Sequence, residues 1–206
     1  MQRPSEARRR EITRVAARLF ATQPFHAVTL ERIAAEAHIG KGTLYVYFDS
    51  KEDLYSSLIH EALSELCGEL ERELGAFEGP SWPRLALVVE RLAGFAERFP
   101  HLFELLRAGV EPSDPRLLEK RAELVGLIEG VLRRGVRAGE LADRHPELTA
   151  QYVLTFLRVA FLYRPAGMSV RAIATHLLDV LDAGLRRSRP RGHGPHRRRS
   201  ARRGTS

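Results

Sequence analysis

The sequence has little cysteine and no long uncharged apolar run, and both shortages narrow the class of protein. Its single cysteine, Cys67, excludes an internal disulfide framework and fits a reducing compartment. The stretch with the least charge, residues 153–163, has only 11 residues and still contains Arg158, so it is too short to cross a bilayer. The first six residues lack the apolar segment of a secretory signal. We therefore expect a cytoplasmic protein that does not enter a membrane.

No stretch shows the sustained alternation of apolar and polar residues that half-buried strands require. Helical spacing is found nearly throughout, and the first predicted helix has one apolar face made of Ile12, Val15, Ala16, Leu19 and Phe20. Thr29 is the predicted N-cap of a second helix and Ser50 that of a fourth, with a third helix over residues 41–48 between them. Five further helices are predicted over residues 85–99, 101–110, 115–138, 146–163 and 170–185. The sequence thus predicts an all-α fold of about nine helices.

Charges of the two signs are separated along the chain, although the formal net charge is only +7. Residues 1–51 carry 9 Lys and Arg against 5 Asp and Glu, and residues 52–185 carry 15 against 21. Residues 186–206 carry 9 arginines and no acidic residue. This pattern suits a polyanion-binding end attached to a different kind of body. The plainer interpretation is that runs of charge are solvated surface.

The last part of the chain, residues 187–206, contains no apolar side chain larger than that of Ala201. Such a segment cannot bury enough surface to offset its ordering entropy, so a disordered, arginine-rich tail is predicted. Two roles remain open for it. It adds sequence-independent contacts to phosphates, with a strong salt dependence, or it only keeps the protein in solution.

Three short helices in the first fifty residues, with a tight turn between the last two, form the skeleton of a helix-turn-helix. In that motif the core holds the third helix from behind, and the exposed start of this helix enters the major groove of DNA. Leu44 and Phe48 are the predicted anchors. The predicted outward residues are Lys41, Gly42, Thr43 and Tyr47, with Tyr45 toward a flank. Their hydroxyl, ammonium and backbone N–H groups are the donors that phosphates and base edges accept.

Residues 29–54, TLERIAAEAHIGKGTLYVYFDSKEDL, closely resemble the N-terminal signature of TetR/AcrR-type transcriptional regulators. The resemblance implies a helix-turn-helix DNA-binding domain over residues 1–51 and a helical ligand-binding and dimerisation domain over residues 52–186. By position, it implies DNA contacts from Thr29, Lys41, Gly42, Thr43, Tyr45, Tyr47 and Lys51. Two residues depart from the family pattern: His38 stands where a turn glycine is usual, and Gly40 where serine is common.

In this family the last two helices form a four-helix bundle with a second copy, and a ligand lies among the middle helices. Residues 151–163 are apolar nearly all round, so more than one face needs covering. The candidate dimer interface is Leu154, Leu157, Phe161, Ile173, Leu177, Val180 and Leu181; the alternative is that these residues only close the core of one chain. The candidate ligand pocket is Phe95, Phe99, His101, Phe103, Tyr152 and Phe156, although each alone is more often core than ligand contact. Few charges fall on these faces, which favours a mostly hydrophobic effector.

Enzyme signatures are incomplete in this sequence. Residues 40–43, Gly-Lys-Gly-Thr, lack the first glycine of a phosphate loop, because Ala35 stands at that position. His60 and Glu61 lack the second histidine of a zinc motif. Cys67 lies in an acidic helix with no base beside it, the opposite of an activating environment. The sequence therefore indicates no catalysis, no cofactor and no metal site.

The function predicted from the sequence is that of a homodimeric regulator that binds a double-stranded DNA operator sequence-specifically. A dimer is expected because one helix-turn-helix reads too little DNA and paired half-sites need a symmetric protein. The regulator would be a repressor, released when a small, mostly hydrophobic effector binds a state with wrongly spaced heads. The alternative is a DNA-binding accessory factor that is controlled by a protein partner instead of a small ligand.

Overall fold

The structure is a computed structural model that describes residues 5–102 and 114–185. Every regular element in these ranges is helical: α1 (Glu6–Thr22), a 3-10 helix (Phe25–Ala27), α2 (Leu30–Glu36), α3 (Lys41–Tyr45), α4 (Lys51–Ala76), α5 (Ser81–Arg98), α6 (Pro115–Arg137), α7 (Pro146–Leu162) and α8 (Val170–Leu185). The all-α prediction is confirmed for these residues, in which no helix combines the length and hydropathy of a membrane span. The helix predicted over residues 101–110 lies outside the described ranges except for its first two residues. Phe103 and the predicted tail lie outside them entirely.

Side-chain caps mark where several of the helices begin, among them α2, α4 and α6. The hydroxyl oxygen of Thr29 accepts a hydrogen bond from the Arg32 N–H at 3.2 Å, at the start of α2. That of Ser50 accepts one from the Asp53 N–H at 3.0 Å, at the start of α4. Asp114 caps α6, and a proline follows it in the first turn. The predicted caps Thr29 and Ser50 are confirmed, and each of the three caps satisfies an N–H group that the helix itself leaves unpaired.

Two apolar clusters divide the described chain. The head cluster joins α1, α2 and α3 to the first half of α4, and the body cluster joins the rest of α4 to α5, α6, α7 and α8. The change from one cluster to the other falls between Ala62 and Leu66. Phe99 and Leu117, from later in the chain, complete the head cluster. The head, residues 5–50, is therefore packed against the body, which comprises the other described residues.

A buried histidine adds a polar contact to this junction. His101 is 8% exposed, and its Nε2 lies 2.9 Å from the carbonyl oxygen of Phe20 in α1. A carbonyl oxygen only accepts, so Nε2 carries the proton in this contact. The imidazole ring also packs near the rings of Phe20, Phe25 and Tyr55. Through His101, the body holds the end of α1 by both shape and hydrogen bonding.

Candidate nucleic-acid interface and ligand pockets

The turn between α2 and α3 determines how α3 is presented. His38 has a φ of 52°, a left-handed conformation that a histidine tolerates better than most side chains. The Ile39 N–H then donates to the Ala34 carbonyl at 3.0 Å, which closes the turn. Gly40 follows with extended backbone and is the N-cap residue of α3. Both departures from the family pattern are thus accommodated by a normal turn.

Two side chains hold α3 against the head, as predicted. Leu44 is 0% exposed and Phe48 is 1% exposed, and both belong to the head cluster. The Arg9 guanidinium lies 4.6 Å from the centroid of the Phe48 ring and covers its outer side. On the opposite side of α3, Lys41 and Thr43 are exposed. This short helix therefore presents its first residues to solvent from a rigid base.

Gly42 lies between these two exposed residues, in open space. A Cβ atom built on it meets no other heavy atom within 4 Å among the described residues. Neither packing nor an unusual φ within the head requires glycine here. The smallest residue at this exposed position suits a backbone that another molecule approaches closely.

Lys41 is held in place by the neighbouring helix. Its Nζ lies 2.5 Å from Oε1 of Glu31 in α2 and 5.9 Å from the centroid of the Tyr45 ring. The hydrogen bond from Lys41 lowers the pKa of the Glu31 carboxyl, and the same bond raises the pKa of Lys41. Lys41 is therefore a charged donor at the surface, and a phosphate or base must compete with Glu31 for it.

Of the two tyrosines of this region, Tyr47 is placed differently from the prediction. α3 ends at Tyr45 instead of continuing to residue 48, and the next residues form a turn. Tyr47 is consequently partly buried, and its hydroxyl oxygen accepts a hydrogen bond from the Ser5 N–H at 3.0 Å. Tyr45 is the more open of the two, with 45% of its surface exposed. Tyr47 fastens the start of α1 to the end of the helix-turn-helix.

Thr29 and Lys51, predicted to contact phosphates, both have structural roles in the described chain. Thr29 caps α2 through its oxygen, and its hydroxyl also donates to the Glu31 carboxyl, so a phosphate must compete with Glu31 for this donor. The Lys51 Nζ donates to the Phe25 carbonyl at 2.9 Å and lies 4.2 Å from the centroid of the Phe25 ring. An ammonium group has three protons, so this bond leaves others for a phosphate. Contacts of both residues with DNA stay predictions.

The predicted ligand residues that the structure describes are distributed over different surfaces of the body. Phe95 lines a pocket of about 230 Å³ between α4, α5, α6 and α7, which we call the central pocket. Phe99 and His101 instead line a groove of about 530 Å³ between α1 and the body, which we call the junction groove. Tyr152 is 63% exposed on α7, and the half-buried Phe156 packs near the His176 ring. Residues 95–102 present different side chains to these two cavities, and a ligand contact of the predicted residues stays a prediction.

The central pocket is almost wholly apolar. Twelve of its lining side chains are apolar, and the other two are Arg121 and Arg158. Arg121 donates to Oε1 of Gln151 at 2.8 Å. The apolar walls include Leu154, Leu157 and Phe161, which the sequence assigned to a dimer interface. Such a cavity suits an apolar ligand with an anionic group.

The predicted dimer residues are mostly internal to one chain. Leu157, Phe161, Ile173 and Leu177 are buried in the body cluster, so their assignment to an interface is corrected. Leu154 and Leu181 are half-buried, while Val180 is 49% exposed on α8. The exposed apolar face of α7 consists of Leu148, Tyr152 and Val159, followed by the C-cap residue Tyr163; with Val180 we call these residues the exposed stripe. The sequence could not distinguish the faces of α7, because that helix is apolar nearly all round.

The remaining candidates for chemistry in the described chain are the Cys67 thiol and possible groups of metal ligands. Burial raises the pKa of the Cys67 thiol to about 12, so the thiol stays protonated at neutral pH. Within residues 5–102 and 114–185, no three His, Cys, Asp or Glu side chains are grouped so as to hold a metal ion.

Two family models match this chain. Residues 12–58 match the model for bacterial regulatory proteins of the tetR family, and residues 79–185 match the tetracyclin repressor-like C-terminal domain. The chain belongs to the TetR family. It is therefore a TetR-family transcriptional regulator with a DNA-binding helix-turn-helix and a helical C-terminal domain, as the resemblance implied.

Similar proteins agree with this membership. The HTH-type transcriptional repressor KstR2 of Rhodococcus jostii is 29% identical over 191 residues, which cover 86% of this chain and 91% of that protein. The nucleoid occlusion factor SlmA of Pectobacterium carotovorum is 29% identical over 173 residues, covering 77% and 87% of the two chains. The crystal structure of FadR from Bacillus subtilis in complex with stearoyl-CoA has a TM-score of 0.68 at 20% identity, covering 85% of this chain and 98% of that one. The last comparison concerns the fold alone.

Proposed function

We propose that this protein is a homodimeric repressor that binds a two-fold symmetric DNA operator and is released by an apolar, anionic effector. The observation that carries the proposal is the geometry of α3. Its exposed start combines the ammonium of Lys41, the bare backbone of Gly42 and the hydroxyl of Thr43, held from behind by two buried side chains. These groups are donors for phosphates and base edges, and the helix is rigid enough to place them in a groove.

The exposed stripe supports a dimer. A row of large apolar side chains along one side of α7, with Val180 also exposed on the neighbouring α8, is unusual on a chain that works alone. A second copy related by two-fold symmetry would cover it, because such an interface uses the same patch on both chains. Two reading heads then bind half-sites about 34–36 Å apart on one side of the duplex.

The central pocket supports an acyl-type effector. Its walls are apolar, and Arg121 and Arg158 supply positive charge. FadR of Bacillus subtilis, which shares this fold, was crystallised with stearoyl-CoA. An effector acts only through its different affinities for the two states, so it must prefer a state whose heads do not fit the operator. A regulator of this kind acts in the cytoplasm and needs no catalytic group.

Operator binding is tested by fluorescence anisotropy on the DNA upstream of the protein's own gene, with scrambled DNA as the reference. We expect at least about a thousandfold preference for the upstream DNA at moderate salt. Lys41→Ala should weaken binding to both DNAs, and Thr43→Val should change the base preference. Arg72→Ala, an exposed change on α4, is the matched control. Equal affinity for both DNAs across the salt titration would refute sequence-specific regulation.

Effector release is tested in the same assay with octanoyl-CoA and stearoyl-CoA, and with CoA alone as the control. We expect an acyl-CoA, but not CoA, to dissociate the operator complex. Leu118→Trp should weaken this response, because Leu118 is 65% exposed at the edge of the central pocket and a larger ring there blocks the cavity. A full response in Leu118→Trp would exclude the central pocket as the effector site.

The likeness to SlmA favours one second candidate, a DNA-binding factor controlled by a protein partner. A thermal-shift screen against acyl-CoAs and other apolar compounds separates the two candidates. A true effector raises the melting temperature as its concentration exceeds the dissociation constant. No shift with any compound, together with specific DNA binding, would favour the protein-controlled factor.

A further inference from the structure

The junction groove has a row of arginines along one wall. Arg10, Arg14 and Arg18 are spaced by four residues, so they lie on one face of α1 over about 12 Å. All three are exposed, and their guanidinium groups make no hydrogen bond or close ion pair with another described residue, although the charge of Arg10 acts on Glu61 across the groove. By contrast, Arg8 on the same helix pairs with Glu11 at 2.8 Å. Like charges at this spacing destabilise a helix, so the row has an energetic cost.

The floor of the groove is apolar, and the wall opposite the arginines contains charged side chains. Apolar side chains form the floor, among them Ala17 on α1, Leu58 on α4 and Phe99 from the body. The far wall contains two carboxyl groups, but Glu65 is paired with Arg98 at 3.7 Å. Burial raises the pKa of the Glu61 carboxyl, while the nearby charges of Arg9 and Arg10 lower it. The groove therefore joins an apolar surface to a positively charged edge.

We propose that the junction groove binds an anionic amphiphile, with its alkyl chain on the apolar floor and its phosphate or carboxylate on the arginine row. The volume of about 530 Å³ is in the range of small-molecule sites. Guanidinium groups bind such anions through paired, charge-assisted hydrogen bonds. A DNA backbone would need the charges but not the apolar floor. This site is separate from the central pocket and does not depend on the effector proposed above.

Binding in this groove is coupled to DNA binding. The ligand touches α1 of the head, α4, and residues 98–101 of the body at once. Its affinity must therefore depend on how the head lies against the body, and by reciprocity its presence biases that arrangement. The contact between His101 and the Phe20 carbonyl joins two residues that line this groove.

The test is isothermal titration calorimetry of the full-length protein with dodecyl phosphate, inorganic phosphate and dodecanol. We expect dodecyl phosphate to bind and the two fragments to bind far more weakly. The double variant Arg14→Ala/Arg18→Ala should weaken dodecyl phosphate at least about tenfold, the effect of losing one charge-assisted hydrogen bond. Ala21→Trp should block binding without removing charge, because Ala21 is an exposed lining residue. The control Arg72→Ala/Arg137→Ala, which removes two exposed arginines elsewhere, should change nothing.

Three results would overturn the proposal. Equal binding of inorganic phosphate and dodecyl phosphate would make the row a simple anion site. Loss of dodecyl phosphate binding in Leu118→Trp, but not in the arginine variant, would place the ligand in the central pocket and leave the proposed function intact. No binding of dodecyl phosphate, with weaker and less salt-dependent operator binding by Arg14→Ala/Arg18→Ala, would assign the arginines to DNA phosphates.

Discussion

At the scale of single residues, the turn before α3 contains a local strain that the rest of the head tolerates. His38 is exposed and has a φ of 52°, so glycine fits its backbone better. His38→Gly should raise the free energy of unfolding by about 0.5–1 kcal/mol, the left-handed cost less the entropy that glycine adds to the unfolded chain. Urea unfolding measures this. Ala35→Gly, within α2, is the control and should destabilise by about 1 kcal/mol. A lower free energy of unfolding for His38→Gly than for the unchanged protein would contradict the inference that the His38 backbone is strained.

At Gly42, substitution should affect the stability of the protein and its affinity for DNA differently. Since a Cβ atom there meets nothing within the described chain, Gly42→Ala should leave stability unchanged or raise it by up to about 1 kcal/mol. The same methyl group should lower operator affinity, because it stands between the α3 backbone and the groove. Both are measured on one preparation, by urea unfolding and anisotropy. Gly68→Ala in α4, also in open space, is the control and should leave DNA binding unchanged. Unaltered operator affinity in Gly42→Ala would contradict the inference that DNA approaches the backbone closely at this position.

At the scale of helices, the sequence was sufficient to predict the features that depend only on nearby residues. The N-caps Thr29 and Ser50 and the anchors Leu44 and Phe48 were predictable, because a cap and a repeat of 3.6 residues involve only nearby positions. The end of α3 was not, since no glycine or proline follows Tyr45. The place of Tyr47 was not either, because it depends on Ser5, far away in the chain.

α6 packs closely against residues outside it at one glycine, where any larger side chain would collide with them. A Cβ atom on Gly135 would lie 2.5 Å from Leu141 Cδ1 and 2.9 Å from Ser81 Cβ. Gly135→Ala should therefore lower the free energy of unfolding by about 1–3 kcal/mol, in spite of the better helix propensity of alanine. Gly130→Ala, on the open side of the same helix, is the matched control and should be neutral or stabilising. Equal stabilities of the two variants in urea would show that α6 moves freely away from its neighbours.

At the scale of the whole molecule, the head and the body share residues instead of meeting at a flexible linker. α4 belongs to both clusters, and Phe99 and Leu117 enter the head cluster from the body. A change of shape in the body can therefore move the head. The two cavities lie on either side of residues 95–102, so ligands in them act on the same segment. Tertiary contacts of this kind leave no pattern in the sequence, which is why the junction groove was not predicted.

The exposed stripe gives the sharpest prediction for the assembly. Tyr152→Asp/Val159→Asp places two carboxylates in the middle of it, where a second copy would bury them without partners. Both side chains are exposed in the single chain, so the variant should fold with an unchanged far-UV circular dichroism spectrum. Analytical ultracentrifugation should show a monomer, and operator affinity should fall about 100-fold or more, because two linked heads bind far better than one. Leu118→Asp, an exposed apolar position on α6, is the control and should stay dimeric. A dimer that survives in the stripe variant would place the interface elsewhere on the molecule.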